Sequence, residues 1–359
     1  MQALIPDVAT LCDLAILAAR GGDTRVGLQL AQQAYRAARA DGSNHSRMLA
    51  LNAMALCQLT SGRNIESIGS AIDAFRCAQV EGDRRLALHA LTTLLGASNH
   101  LYETERITLL MTDRALRLAH ELADSSLIAR LHNSRGVIFN MLGRFDECDA
   151  ELELAMEATG DTDRVTPPAM IAANLAHAAV MRVRKERRDS ATLEKAWQRI
   201  ETAVALAEAG KSGEAKIRIG YCRGMLHHDC GEFDAAIAAL KQSIDLATAF
   251  HHNSRAADAR LELASVYSGR GELAVVAELL EAAFQDAIPL RPCRQLEQLA
   301  EQMAANYRRQ GSAREEAYAR GLAEREHAIY EQERATASLE LEHFWHEVDP
   351  LWRPGSGQA

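Results

Sequence analysis

Apolar residues recur along the chain at three- and four-residue spacing, in stretches of helical length separated by short polar turns, and no alternation of period two is visible. Helix alone is therefore expected. In the best-defined stretch, one apolar helix closes with Gly136, Val137, Ile138 and Phe139, and Leu142, Gly143, Arg144 and Phe145 turn the chain into the next helix. Two helices joined by so short a turn read as a hairpin. The turn glycine repeats: Gly22 and Gly62 stand 40 residues apart, and Gly231, Gly271 and Gly311 continue at intervals of 40. Gly143 stands 81 residues after Gly62 and 88 before Gly231, two periods plus one residue and two periods plus eight. Seven positions before each turn sits a small residue, namely Ala15, Ala55, Gly96, Gly136, Gly224, Ala264 and Ala304, which lets the two helices approach closely.

A period near forty, carried by these glycines and by Phe139, Phe145, Phe233, Ala236, Tyr267 and Tyr307, resembles the longer variant of the tetratricopeptide repeat. The resemblance spans residues 8–333 and implies an all-α solenoid of about eight hairpins, some sixteen helices, wound into a right-handed superhelix. Two units depart from the pattern. The third has Glu103 near the expected glycine, and the fifth, starting near Pro168 with Asn174, Leu175 and Ala176 in register, has no turn glycine and is expected to hold the eight extra residues in its turn.

Beyond Gly311 no strong breaker occurs before Pro350, so the last helix is expected to run on through Glu347. The expected division is a solenoid over 1–333, a helical extension over 334–349 and a disordered tail over 350–359. Leu341, Phe344, Trp345 and Val348 make the extension apolar at its end, fitting a cap on the eighth hairpin, a dimer contact, or a helix leading to an output domain.

In this family the first helix of each hairpin faces the groove. Carried over repeat by repeat, the groove positions are Asn52, Leu56 and Leu59; Thr93 and His100; Arg130, Asn133 and Asn140; His177; and Arg218, Tyr221, Met225 and His228. Amides that both donate and accept suit a peptide backbone, and the arginines suit its acidic groups. Only Asn174 matches the lysine and asparagine set with which one subclass grips a C-terminal carboxylate, so that clamp is not expected.

The remaining candidates change the picture little. A net charge of −9 argues against a nucleic-acid partner. The basic run Arg182, Arg184, Lys185, Arg187 and Arg188 reads as a solvated helix end or a local docking patch for an acidic partner. His227, His228, Asp229 and Cys230 are consecutive, so their side chains diverge by about 100° per residue and do not suit a tetrahedral metal site. Seven scattered cysteines read as reduced packing groups. No phosphate loop, nucleophile elbow, signal peptide or membrane span is read from the sequence, so a cytoplasmic, non-enzymatic protein without cofactor or metal is expected. Its stretches around Gly136 and Tyr307 are similar to the tetratricopeptide regions of bacterial signalling proteins that precede an output domain such as a diguanylate cyclase. That resemblance implies a protein- or peptide-binding scaffold, or alternatively a ligand-sensing array acting on an output domain in cis or in trans.

Overall fold

The computed structural model of the chain describes residues 7–21, 23–99, 101, 105–159, 168–186 and 189–348. Sixteen α-helices pair into eight hairpins, with no strand among the described residues. They are α1 (Val8–Gly21) with α2 (Thr24–Asp41), α3 (Asn44–Thr60) with α4 (Asn64–Glu81), α5 (Arg84–Ser98) with α6 (Glu105–Glu121), and α7 (Ser125–Met141) with α8 (Phe145–Ala158). Then come α9 (Pro168–Lys185) with α10 (Ser190–Ala209), α11 (Gly213–Asp229) with α12 (Phe233–Ala249), α13 (Asn253–Gly269) with α14 (Leu273–Ala287), and α15 (Arg294–Gln310) with α16 (Ala313–Val348). The odd-numbered helices also touch one another in succession, α1 on α3, α3 on α5, and so on to α11 on α13, and so form an inner layer. The even-numbered helices lie outside it.

Local chemistry starts and stops these helices. Ser43, Asp83, Asp124 and Ser212 cap α3, α5, α7 and α11, each accepting a backbone N–H three residues on. Gly62, Gly143, Gly231, Gly271 and Gly311 turn within hairpins at φ between 73° and 86°, the left-handed region that glycine enters without strain. Gly22 and Glu103 lie outside the described residues. A second series turns between hairpins, where Gly42 and Gly82 are followed by Ala123, Lys211 and His251 at φ 50°, 49° and 54°. Only two of its members are glycine, so the sequence does not announce it.

The eight extra residues are not in the turn of the fifth hairpin. α8 ends at Ala158 and α9 begins at Pro168, whereas α9 and α10 are separated only by 186–189. The insertion thus falls between the fourth and fifth hairpins. The small residues pack as expected: a Cβ on Gly136 would lie 2.6 Å from Cγ of Leu152, and Gly224 faces Leu240 in the same way.

The array closes on itself. The last eighteen residues of α16 run past its partner helix by roughly 27 Å at helical rise, and its end packs on the outer helix α4 of the second hairpin. Phe344 meets Phe75 there, Leu341 and Val348 are buried in the same cluster, Arg76 pairs with Glu347 at 2.9 Å, and Arg114 lies 4.9 Å over the Trp345 ring. The apolar end is therefore covered within the chain, by the second and third hairpins rather than by the eighth. A second seam joins the first hairpins to the sixth and seventh. Thr24 Oγ1 donates to the His251 carbonyl at 2.8 Å, and α1 touches α11.

Candidate ligand-binding chamber

Closure turns the inner layer of first helices into the wall of a chamber. Two adjoining cavities of about 240 Å³ each open from it, with Leu59, Thr60 and Arg255 in the walls of both. The first lies where the second hairpin meets the seventh and eighth. The second is lined by Arg20, Arg130, Arg218 and Arg255, by a single carboxylate, Glu214, and by the amides Asn99, Asn133 and Asn174.

The groove residues read from sequence are placed unequally. Arg218 Nη1 donates to Asn174 Oδ1 at 2.7 Å, and Asn174 Nδ2 donates to Asn133 Oδ1 at 2.7 Å, a hydrogen-bonded line across α11, α9 and α7. Beside it, Arg130 reaches back to α5, donating to Thr93 Oγ1 at 3.1 Å with His89 Nδ1 at 3.3 Å. Asn140 Nδ2 lies 3.2 Å from His177 Nδ1, and the His177 ring stacks on Tyr221 with centroids 6.4 Å apart. Burial, reinforced by Arg218, pushes the His177 imidazolium pKa down to about 3, so the ring is neutral and Nδ1 accepts from the amide. Burial and Arg130 push His89 down to about 4.

Two positions, Asn52 and Met225, are held within the chain instead of facing a groove. Asn52 bonds to the Met48 carbonyl of its own helix at 3.3 Å, and Met225, 2% exposed, belongs to the core beneath α9 and α10. His100 lies outside the described residues. His228 Nδ1 sits 2.7 Å from Glu262 Oε1, whereas His227 turns to Glu232 and the Trp197 ring, so the consecutive ligand-type residues split onto two sides.

Two arginines of the basic run are paired within the chain. Arg184 Nε donates to Asp229 at 2.6 Å and its Nη1 to Glu262 at 3.0 Å, while Arg182 pairs with Asp146 at 2.9 Å. Neither is a solvated end or a free docking patch, because α8, α11 and α13 bring Asp146, Asp229 and Glu262 within reach. Lys185 is exposed, and Arg187 and Arg188 lie outside the described residues.

Among solved structures the chain is similar to a signal transduction ATPase with numerous domains bearing a tetratricopeptide repeat sensor, from Pyrococcus horikoshii. The two share 12% identity and a TM-score of 0.51 over 84% of this chain and 44% of that one. The fold is that of a tetratricopeptide array. The array is also similar to a Rap protein complexed with competence and sporulation factor (12% identity, TM-score 0.49, 91% of this chain and 99% of that one). A circular tandem repeat protein with novel repeat topology shares 14% identity at a TM-score of 0.26, over 95% and 94% of the two chains. No protein-family model and no curated protein matches the array.

Sequence reasoning missed Arg20, Asn99, Glu214 and Arg255. Arg20 closes α1 and Glu214 opens α11, positions at helix ends where charge is commonplace, and only closure of the array turns them inward. Burial raises the carboxyl pKa of Glu214 against the pull of Arg255, Arg218 and Arg20. Burial also pushes the thiols of Cys12, Cys57, Cys148 and Cys222 up to about 12, which keeps them protonated as packing groups. No helix among the described residues is long and apolar enough to cross a membrane.

Proposed function

We propose that this array is a non-enzymatic, cytoplasmic binding module that takes a short peptide into the chamber between its first helices. The observation that carries this reading is the line Arg218, Asn174 and Asn133, which presents guanidinium and amide groups from three successive hairpins to one cavity. Such groups hydrogen-bond a peptide backbone and its acidic groups, while Leu56, Leu59, Val137 and Met170 offer apolar contact on the same wall. Arg130, Asn140, His177, Tyr221 and His228 position this line or extend it.

The sensing reading gains from closure. A ligand inside the chamber touches helices on both sides of the seams, so its binding biases how tightly the array closes and where α16 lies. The resemblance around Gly136 and Tyr307 to bacterial signalling proteins fits such a role, with a diguanylate cyclase or similar output domain as the responder. In this reading residues 1–333 bind, 334–349 report the state of the array, and 350–359 are a tail.

Affinity selection of a random pentapeptide library on the immobilised protein tests the proposal. Peptides should be enriched by the wild type and lost from Asn133→Ala and Asn174→Ala proteins that remain folded by circular dichroism. Selection of nothing, or identical selection by the variants, removes the chamber as a peptide site.

A further inference from the structure

The second cavity carries four arginines against one glutamate, and the first adds Arg294 and Asp258, in a chain whose net charge is −9. Charge of the minority sign has been gathered inside. A buried cation is costly unless an anion or several hydrogen bonds replace its water. Arg218 makes one hydrogen bond, from Nη1 to Asn174, while its Nε is buried without a partner. A guanidinium has five N–H donors, so most of its capacity is unused. Arg255, on the facing helix α13, has its nearest carboxylate, Asp258, at 3.5 Å, a long contact for an ion pair, and lines both cavities. Glu214 stands one turn before Arg218 on α11 yet makes no ion pair among the described residues. Burial and the neighbouring Arg255 together push the Arg218 pKa down to about 10, against the weaker pull of Cys222, Glu214 and Asp258.

We infer that the chamber binds a compact anion, a ligand whose carboxylate or phosphate group sits between the guanidinium groups of Arg218 and Arg255. The planar fork of arginine matches both groups in a bidentate manner. Asn174 and Asn133 then orient the neutral part of the ligand, and the apolar wall at Leu56 and Met170 covers it. Two joined cavities of about 240 Å³ each fall in the range of about 300–1,000 Å³ that holds a small ligand, which favours a short acidic peptide or a phosphorylated small molecule over a long chain. The inference rests on the chamber being the binding site, and it adds the charge of what enters.

The test is thermal unfolding and isothermal titration with two probes, tri-glutamate and pyrophosphate, at constant ionic strength, with tri-lysine as control. At least one anion should raise the melting temperature saturably, and its affinity should fall tenfold or more in Arg218→Gln and in Arg255→Gln. Arg36→Gln, on the exposed face of α2, should bind as the wild type does. Without ligand, Arg218→Gln should melt no lower than the wild type, since a like-charge conflict has been relieved; if it fails to fold, Arg255→Gln supplies the same comparison. Response to tri-glutamate alone identifies a carboxylate ligand, and response to pyrophosphate alone a phosphate. The inference is overturned if neither anion stabilises the protein, or if both arginine variants bind with wild-type affinity. Neutral peptides recovered by library selection, with both anions inert, would leave the peptide reading standing and remove this one; anion binding with no peptide selected would do the reverse.

Discussion

Phe344 in the last helix meets Phe75 in the fourth edge to face, with ring centroids 5.0 Å apart and planes at 87°. One residue beyond Phe75 and three beyond Phe344, Arg76 and Glu347 bridge the same seam, 271 positions apart in the chain. The exposed ion pair adds about 0.2–1 kcal/mol at most. The fully buried rings therefore hold the seam and the ion pair sets its register.

Phe344→Ala should cost about 3–5 kcal/mol, the usual loss for emptying a buried aromatic site. The seam should also open, so small-angle scattering should report a larger radius of gyration at the same helix content. An unchanged radius with unchanged urea midpoint would show that α16 does not hold α4 in solution.

Hairpin packing should answer to volume at Gly136. Gly136→Leu is expected to lose about 1–3 kcal/mol, because Leu152 already occupies the space its side chain would enter. Gly69 in α4 has nothing within 4 Å of a Cβ, so Gly69→Ala should instead gain up to about 1 kcal/mol. Urea melts of both variants check the contrast, and equal effects would contradict the packing.

Acid should weaken the fold well above the carboxylate range. Burial lowers the pKa of His89 to about 4 and of His177 and His252 to about 3, against an unfolded value near 6.5. The folded chain thus holds these rings neutral, and the unfolded chain takes up protons first as pH falls. Stability is complete above about pH 6.5 and declines below it, continuing down toward pH 4 to 3. Between pH 7.5 and 5.5 each histidine should cost about 1.4 kcal/mol and the three together about 4. Both His252 ring nitrogens are buried without partners. Replacing that residue by leucine should remove about a third of the slope, and a flat profile would refute the assignment.

Glu262 should act in a lower window. Burial alone would raise its pKa, but His228 and Arg184 outweigh it and hold the carboxyl down at about 2. This stabilisation is full above the unfolded value near 4.3 and is lost as pH falls through about 2. Glu262→Gln should shrink the loss of stability between pH 4.5 and 2.5 while leaving the loss between 7.5 and 5.5 intact.

What could be read from the sequence divides by distance along the chain. The turn glycines from Gly62 to Gly311, the small residues opposite Leu152 and Leu240, and the unbroken last helix are local features, and each is found where its spacing puts it. The nomination of Arg130, Asn133, His177 and Arg218 as groove residues came from the family resemblance applied hairpin by hairpin, and the second cavity is lined by Arg130, Asn133 and Arg218 of this set. Closure could not be read in this way, because it depends on a small rotation at each hairpin accumulating over the array, and no residue near Phe75 or Arg255 signals it. Met225 was misplaced for a related reason, since its register points inward but α9 and α10 cover it.

An open stack of hairpins frays from its two ends, where the terminal units have only one neighbour. Joining α16 to α4, and α1 to α11, gives each terminal hairpin a second neighbour. Fraying of a terminal hairpin must then also break one of these seams, so the ends share the protection of the array. In hydrogen exchange the first and last hairpins should be as slow as the middle ones, and a ligand bridging the chamber should slow them all together.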